Sequence, residues 1–216
     1  MEISNGMRWA ARTQFFCSGF VFATWGVHIP TVKAHYGVDE AELGLAMLAA
    51  GVGALVGLTQ ASRWIGRAGA RRTAAVCGAT YALLLAGLLA MPTFTALLGL
   101  LAVFGIVTSV FDVAINAEAA QLELRCGQPL MSGMHGMFSL GGMVGAVTGG
   151  AALAAGLRPQ FHLLLVSGAM ALTVVVAARS MLPREATASA SADHGFRLPR
   201  GALALLGLLA ALGLIA

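Results

Sequence analysis

Five stretches free of Asp, Glu, Lys and Arg constrain this chain more than any other feature. They cover 13–32, 43–62, 73–111, 126–157 and 159–178, or 20, 20, 39, 32 and 20 residues. A helix needs about 20 apolar residues to cross the ~30 Å hydrocarbon core of a bilayer. The longest stretch is too long for one span and breaks at Met91-Pro92-Thr93. The fourth opens on a Gly127-Gln128-Pro129 turn and stops at Gly156. The pattern predicts six membrane helices near 13–32, 42–62, 73–91, 94–118, 131–155 and 160–181, an all-α polytopic membrane protein.

Composition agrees. Only 10% of the 216 residues are charged and 58% are hydrophobic, whereas a soluble domain is about 25% charged. The 28 glycines suit close helix packing in lipid. The net charge of +4 comes without a basic patch interleaved with aromatics, so nucleic acid is not an expected partner. Three cysteines without CxxC spacing argue against a disulfide framework or a metal site. No cofactor is expected, and no GxxxxGK[ST] phosphate loop occurs.

The arginines and lysines set an orientation. With the N-terminus in the cytoplasm, Arg8, Arg12, Arg63, Arg67, Arg71, Arg72, Arg125, Arg179, Arg184, Arg197 and Arg200 fall inside, and only Lys33 and Arg158 fall outside. No cleavable leader is expected, which places the chain as an integral protein of the inner or plasma membrane.

Residues 1–181 read as one six-helix bundle and 182–200 as a cytoplasmic linker containing REATASASADHG. Residues 201–216 read as the start of a seventh helix that stops after 16 residues, as expected of a fragment of a longer protein. A weak internal echo sets Val52-Gly53-Ala54-Leu55-Val56-Gly57 against Val144-Gly145-Ala146-Val147-Thr148-Gly149. It suggests that helices 1–3 and 4–6 are inverted repeats.

Three groups of residues carry chemistry. The first is Ser62-Arg63-Trp64-Ile65-Gly66-Arg67-Ala68-Gly69-Ala70-Arg71-Arg72, with four arginines and two glycines that permit a tight turn. The second is SVFDVAINAEAAQLE over 109–123. At about 100° per residue, Asp112, Asn116 and Glu123 lie within roughly 40° of one another, and Glu118 points elsewhere. An Asp at bilayer depth costs about 2.5–3.5 kcal/mol, so Asp112 must face the bundle interior, a wet cavity or a partner. It suits proton coupling or substrate contact, or a structural latch with Arg63, Arg67 or Arg71. Glu118 suits such a latch or plain interfacial solvation, and Glu123 is expected in solvent beyond the hydrocarbon. Asn116 suits an interhelical hydrogen bond or a ligand contact.

The third group is LMSGMHGMFSLGGMVG over 130–145, where Ser132, His135 and Ser139 share a face. Gly141, Gly145 and Gly149 form a packing stripe, as Gly53 and Gly57 do on the second helix. Asp112, Asn116, His135 and Ser139 are expected at similar depth, where a His–Asp pair would suit a proton relay. The alternative for His135 is a simple interhelical hydrogen bond. Trp25 and His28 suit either a cavity contact or an anchor at the outer interface.

Arg67-Ala68-Gly69-Ala70-Arg71-Arg72 resembles the tail of the helix 2–3 signature of the major facilitator superfamily, roughly G-x-L-A-D-R-x-G-R-R. The layout of six helices, a cytoplasmic linker and further helices is also similar to that superfamily's. MSGMHGMFSLGG beside FDVAINAEA looks like a subgroup of its sugar- and drug-transporter-like members. The resemblance implies half of a twelve-helix fold, with helices 1 and 4 lining a central cavity. It also implies a secondary transporter of a small molecule by alternating access, proton-coupled, needing a C-terminal half-bundle as partner beside the lipid bilayer. Gly66 stands at the signature's acidic position and Ser62 at its first glycine, so the family's own latch does not carry over; Gly69, Arg71 and Arg72 match. Two other classes remain as alternatives. A non-transporting scaffold would need no buried acid, and an intramembrane serine protease would need a GxSG nucleophile that this chain lacks.

Overall fold

The computed structural model describes residues 3–183. The expected linker from 184 onward and the incomplete seventh helix over 201–216 lie outside the described residues. Within them the chain forms α1 (Asn5–Tyr36), α2 (Glu40–Ala68), α3 (Ala70–Gly87), α4 (Phe94–Cys126), α5 (Met131–Ala154) and α6 (Pro159–Ala178), with no strand.

Helices α1, α2 and α4 outrun their uncharged windows because a helix end in water is stabilised by capping. Ser4 Oγ accepts from the Met7 amide at 3.3 Å. Asp39 and Glu42 form a reciprocal capping box at the start of α2. Thr93 Oγ1 accepts from the Ala96 amide at 3.1 Å. α1 and α4 each end on a left-handed glycine, Gly37 and Gly127. α1 continues through Pro30 to Tyr36. Pro30 has no N–H to donate to the carbonyl of Gly26.

Five helices are long and apolar enough to cross a membrane. The sixth, α3, is 18 residues long and carries Arg71 and Arg72 in its first turn, which lowers its mean hydropathy. The α2–α3 connection is tighter than the sequence suggests. Gly66 is helical, and Gly69 alone makes the turn, with φ of +80°.

Packing follows a two-fold scheme. α1 lies along α5, α2 along α4, and α3 against α6. A Cβ at Gly53 would strike the Ala102 carbonyl, one at Gly57 the Ile106 carbonyl, and one at Gly105 the Ala50 carbonyl. On the other side, a Cβ at Gly141 would strike the Phe16 carbonyl, one at Gly145 the Phe20 carbonyl, and one at Gly19 the Phe138 carbonyl. Exchanging α1 with α4 and α2 with α5 maps one set onto the other. Gly19 falls on Gly105, Phe16 on Ala102, Gly53 on Gly141 and Gly57 on Gly145. The bundle is therefore two three-helix repeats of opposite direction.

The register corrects the sequence echo by one helical turn. Gly53 corresponds to Gly141, not Gly145. Gly149 packs on the Val27 side chain and corresponds to Ala61. The echo misled because small residues recur every four positions on both helices, so adjacent turns match almost equally well.

The centre is filled by Phe15, Tyr81, Phe111, Leu85, Leu97, Leu101 and Leu122, all fully buried. Tyr81 lies 4.8 Å from Phe104 between ring centroids. α2 and α5 bury little beyond their small-residue faces. They expose Leu48, Val52, Leu55, Met143 and Val147, as suits surfaces whose surroundings are lipid or another helix bundle.

Candidate functional site

Asp112 lies near the middle of α4 on an exposed face of the bundle. The neighbouring positions Phe111, Ala114 and Ile115 turn into the core, so the helix period directs Asp112 and Asn116 outward together. Asn116 Nδ2 donates to the Asp112 backbone carbonyl at 2.9 Å and to its carboxylate at 3.3 Å. One turn earlier, Thr108 Oγ1 donates to the Phe104 carbonyl. In the repeat register, Asp112 and Asn116 correspond to Gly26 and Pro30 of α1, which are also exposed. The equivalent face of α1 thus carries no side-chain polar group at these positions.

His135 comes from the first turns of α5. It is exposed, meets the Phe15 ring edge-on at 5.5 Å between centroids, and lies within electrostatic reach of Asp112. Ser132 and Ser139 share its exposed face. Ser139 makes no hydrogen bond to Asp112, Asn116 or His135 among the described residues. The expected foursome is therefore a trio of Asp112, Asn116 and His135, with Ser139 one turn further along α5.

What sets the start of α5 is Glu123. Its Oε2 accepts from the amides of Leu130 at 2.6 Å and Met131 at 2.8 Å. The residue expected in solvent beyond the hydrocarbon thus has a capping role that the expectation did not include. α5 has no side-chain cap of its own, and a carboxylate from α4 satisfies its first donors. The same acid thereby positions His135, one turn into the helix. A glutamate eight residues before a helix that lacks Ser, Thr, Asp or Asn at its N-cap is the available signal.

Glu118 is not an interfacial, solvated acid either. It is 0% exposed, and Oε1 accepts from the Leu182 amide at 2.6 Å. Arg71 and Arg125 lie within electrostatic reach. The contact is thus with the segment after α6, and the arginine loop acts on it from a distance. Arg63 donates to Gln60 at 3.1 Å, and Arg67 and Arg72 are exposed. The one ion pair among the described residues joins Lys33 to Glu40 at the opposite end of the bundle. None of Arg63, Arg67, Arg71 and Arg72 makes an ion pair with Asp112.

Trp25 and His28 are not interfacial anchors. Trp25 is buried against Phe104, 6.3 Å between centroids, which ties α1 to α4. His28 Nε2 lies 2.9 Å from His162 Nδ1 of α6, and both rings are buried. The sequence reading missed this pair because the two histidines are more than 130 positions apart.

No group of three or more His, Cys, Asp or Glu residues suited to a metal occurs among the described residues. The three cysteines are free thiols.

The comparisons accord with this architecture. The family model described as Major Facilitator Superfamily matches residues 13–216. An uncharacterized MFS-type transporter of Yersinia pestis is 32% identical over 93% of this chain and 52% of its own length. An uncharacterized transporter of Sinorhizobium fredii is 33% identical over 62% of this chain and 36% of its own. The membrane protein MosC of Rhizobium meliloti is 32% identical over 65% of this chain and 35% of its own. The chain spans about half the length of the Yersinia relative. With its six helices paired as two inverted repeats and the match running over nearly its whole length, this chain belongs to the major facilitator superfamily.

Proposed function

We propose that the complete protein is a proton-coupled secondary transporter of a small solute, working by alternating access. In this reading the described bundle is one half of it, and a second six-helix bundle rocks against this one. The arginine-rich end, with the N-terminus of α1, faces the cytoplasm.

One observation carries the reading: Asp112 stands exposed at mid-helix depth on this half-bundle, with half-buried Asn116 bonded to it and exposed His135 within electrostatic reach. A carboxyl there is costly against lipid tails. The face that bears it is therefore one that a water-filled cavity or the opposite bundle covers. Within it, Asp112 takes and releases the proton, Asn116 holds the carboxylate's orientation, and His135 supplies a second titratable group at its side. Neither a scaffold nor a protease explains such an acid, and the Yersinia and Sinorhizobium relatives are named as transporters.

The test uses full-length protein in proteoliposomes with an imposed pH gradient and a panel of sugars and drug-like solutes. Accumulation that collapses with the gradient supports the reading. Solute movement in wild type that is indifferent to the gradient refutes the coupling role.

A further inference from the structure

We propose that His28 and His162 form a proton-binding site between α1 and α6, closed while both rings are neutral and opened by a bound proton. The assignment rests on the pair alone and stands whether or not Asp112 couples transport.

The geometry is that of one shared hydrogen. His28 Nε2 and His162 Nδ1 are 2.9 Å apart, with ring centroids 5.1 Å apart. Two neutral imidazoles satisfy this contact with a single N–H pointing at a lone pair. The remaining nitrogen of His28, Nδ1, is buried and has no partner among the described residues. An orphaned lone pair is tolerated more readily than an orphaned N–H. That assigns the hydrogen to His28 Nε2, which donates to His162 Nδ1.

A bound proton changes the account. If the pair takes up one proton and keeps its bridge, both outer nitrogens carry hydrogen. His28 Nδ1 then becomes a buried donor with nothing in the closed pair to accept from it. If both rings are charged, two N–H groups face each other and the bridge is lost. Either way, relief requires water or a polar atom at His28, and hence separation of α1 from α6 at this point. The proton is a ligand with different affinity for the closed and open arrangements, which is the requirement for it to shift them.

No other side chain among the described residues hydrogen-bonds the pair, while Gln160 Oε1 and the Tyr81 hydroxyl are themselves buried without a partner. On α1, the neighbouring Thr24 donates to the Phe20 carbonyl, and Trp25 lies on Phe104. From α3, Tyr81 is engaged with Phe104 and Phe111, and from α4 and α5 no titratable side chain interacts with the pair. On α6, Gln160 donates to the Ala86 carbonyl. The charged and titratable groups at this end of the bundle are Lys33 with Glu40, His35 with Tyr36, Asp39 and Glu42 in their cap, and Arg158. Among the described residues, the titratable group that acts on His28 is His162 itself.

Two measurements on the full-length protein test this. Nitrogen NMR of the imidazole rings from about pH 8 down to about pH 3, past the free-histidine range, reads the tautomers without any substitution. The expected result is a shared N–H···N signal at high pH that is lost as His28 Nδ1 gains a proton. Rings that keep the bridge unchanged over that range overturn the proposal. Hydrogen exchange of segments 24–32 and 159–166, corrected for intrinsic rates, should rise at the acid end. In a His28→Leu/His162→Leu double variant, which leaves no polar ring unpaired, that rise should be lost. A rise of wild-type size in the double variant overturns the switch.

Discussion

Glu118 on α4 holds the Leu182 amide beyond α6 in a hydrogen bond of 2.6 Å, with its carboxyl fully buried. Sixty-four positions of chain close on this contact, which fastens the exit of the sixth helix to the fourth. Glu118→Ala should cost about 1–3 kcal/mol, the penalty for leaving a buried donor unpaired. Glu118→Gln keeps an acceptor and should cost less. Thermal unfolding of the full-length protein in detergent measures both. Equal midpoints for the Ala variant and wild type would remove Glu118 from its anchoring role.

Under the proposed coupling role, Asp112→Asn should abolish gradient-driven solute movement while leaving expression and unfolding unchanged, because Asp112 is exposed and not part of the core. A charge swap, Asp112→Arg with Arg67→Asp, should not restore function. No ion pair joins these residues among those described. Recovery in the swapped protein would favour a latch over proton coupling.

Glu123→Ala should unseat the start of α5 by removing the acceptor for two amides. A loss of about 1–3 kcal/mol in stability is expected, with faster hydrogen exchange over 130–136. Exchange there at the wild-type rate would show that the cap is dispensable.

Gly53→Ala and Gly141→Ala should behave alike, because each adds a Cβ against a carbonyl at an equivalent place in the repeat. Overpacking of this kind costs about 1–3 kcal/mol. Gly168→Ala, with open space around it, should be neutral or gain up to about 1 kcal/mol from helix propensity. Protease resistance in detergent ranks the three. A Gly168 variant as fragile as the Gly53 variant would contradict the packing scheme.

The physical reason for what was legible is range. Charge-free length, turn residues and arginine placement are local properties, and they place six helices and the breaks between them. Asp112 stood out because a single acid in an apolar helix costs more than it can recover locally. The roles of Glu118, Glu123, His28 and Trp25 were not legible. Each depends on a partner from another helix, and an isolated helix reads a buried glutamate and a solvated one identically.

The sequence by itself determined the number of helices, their class and the shared face of Asp112 and Asn116, because these follow from composition and from the helical period. Tertiary structure alone decided the repeat register, the burial of Glu118, the cap that Glu123 places on α5 and the meeting of His28 with His162. Small residues recur on every helix and permit several registers. Only simultaneous close contact of α1 with α5 and α2 with α4 selects one of them.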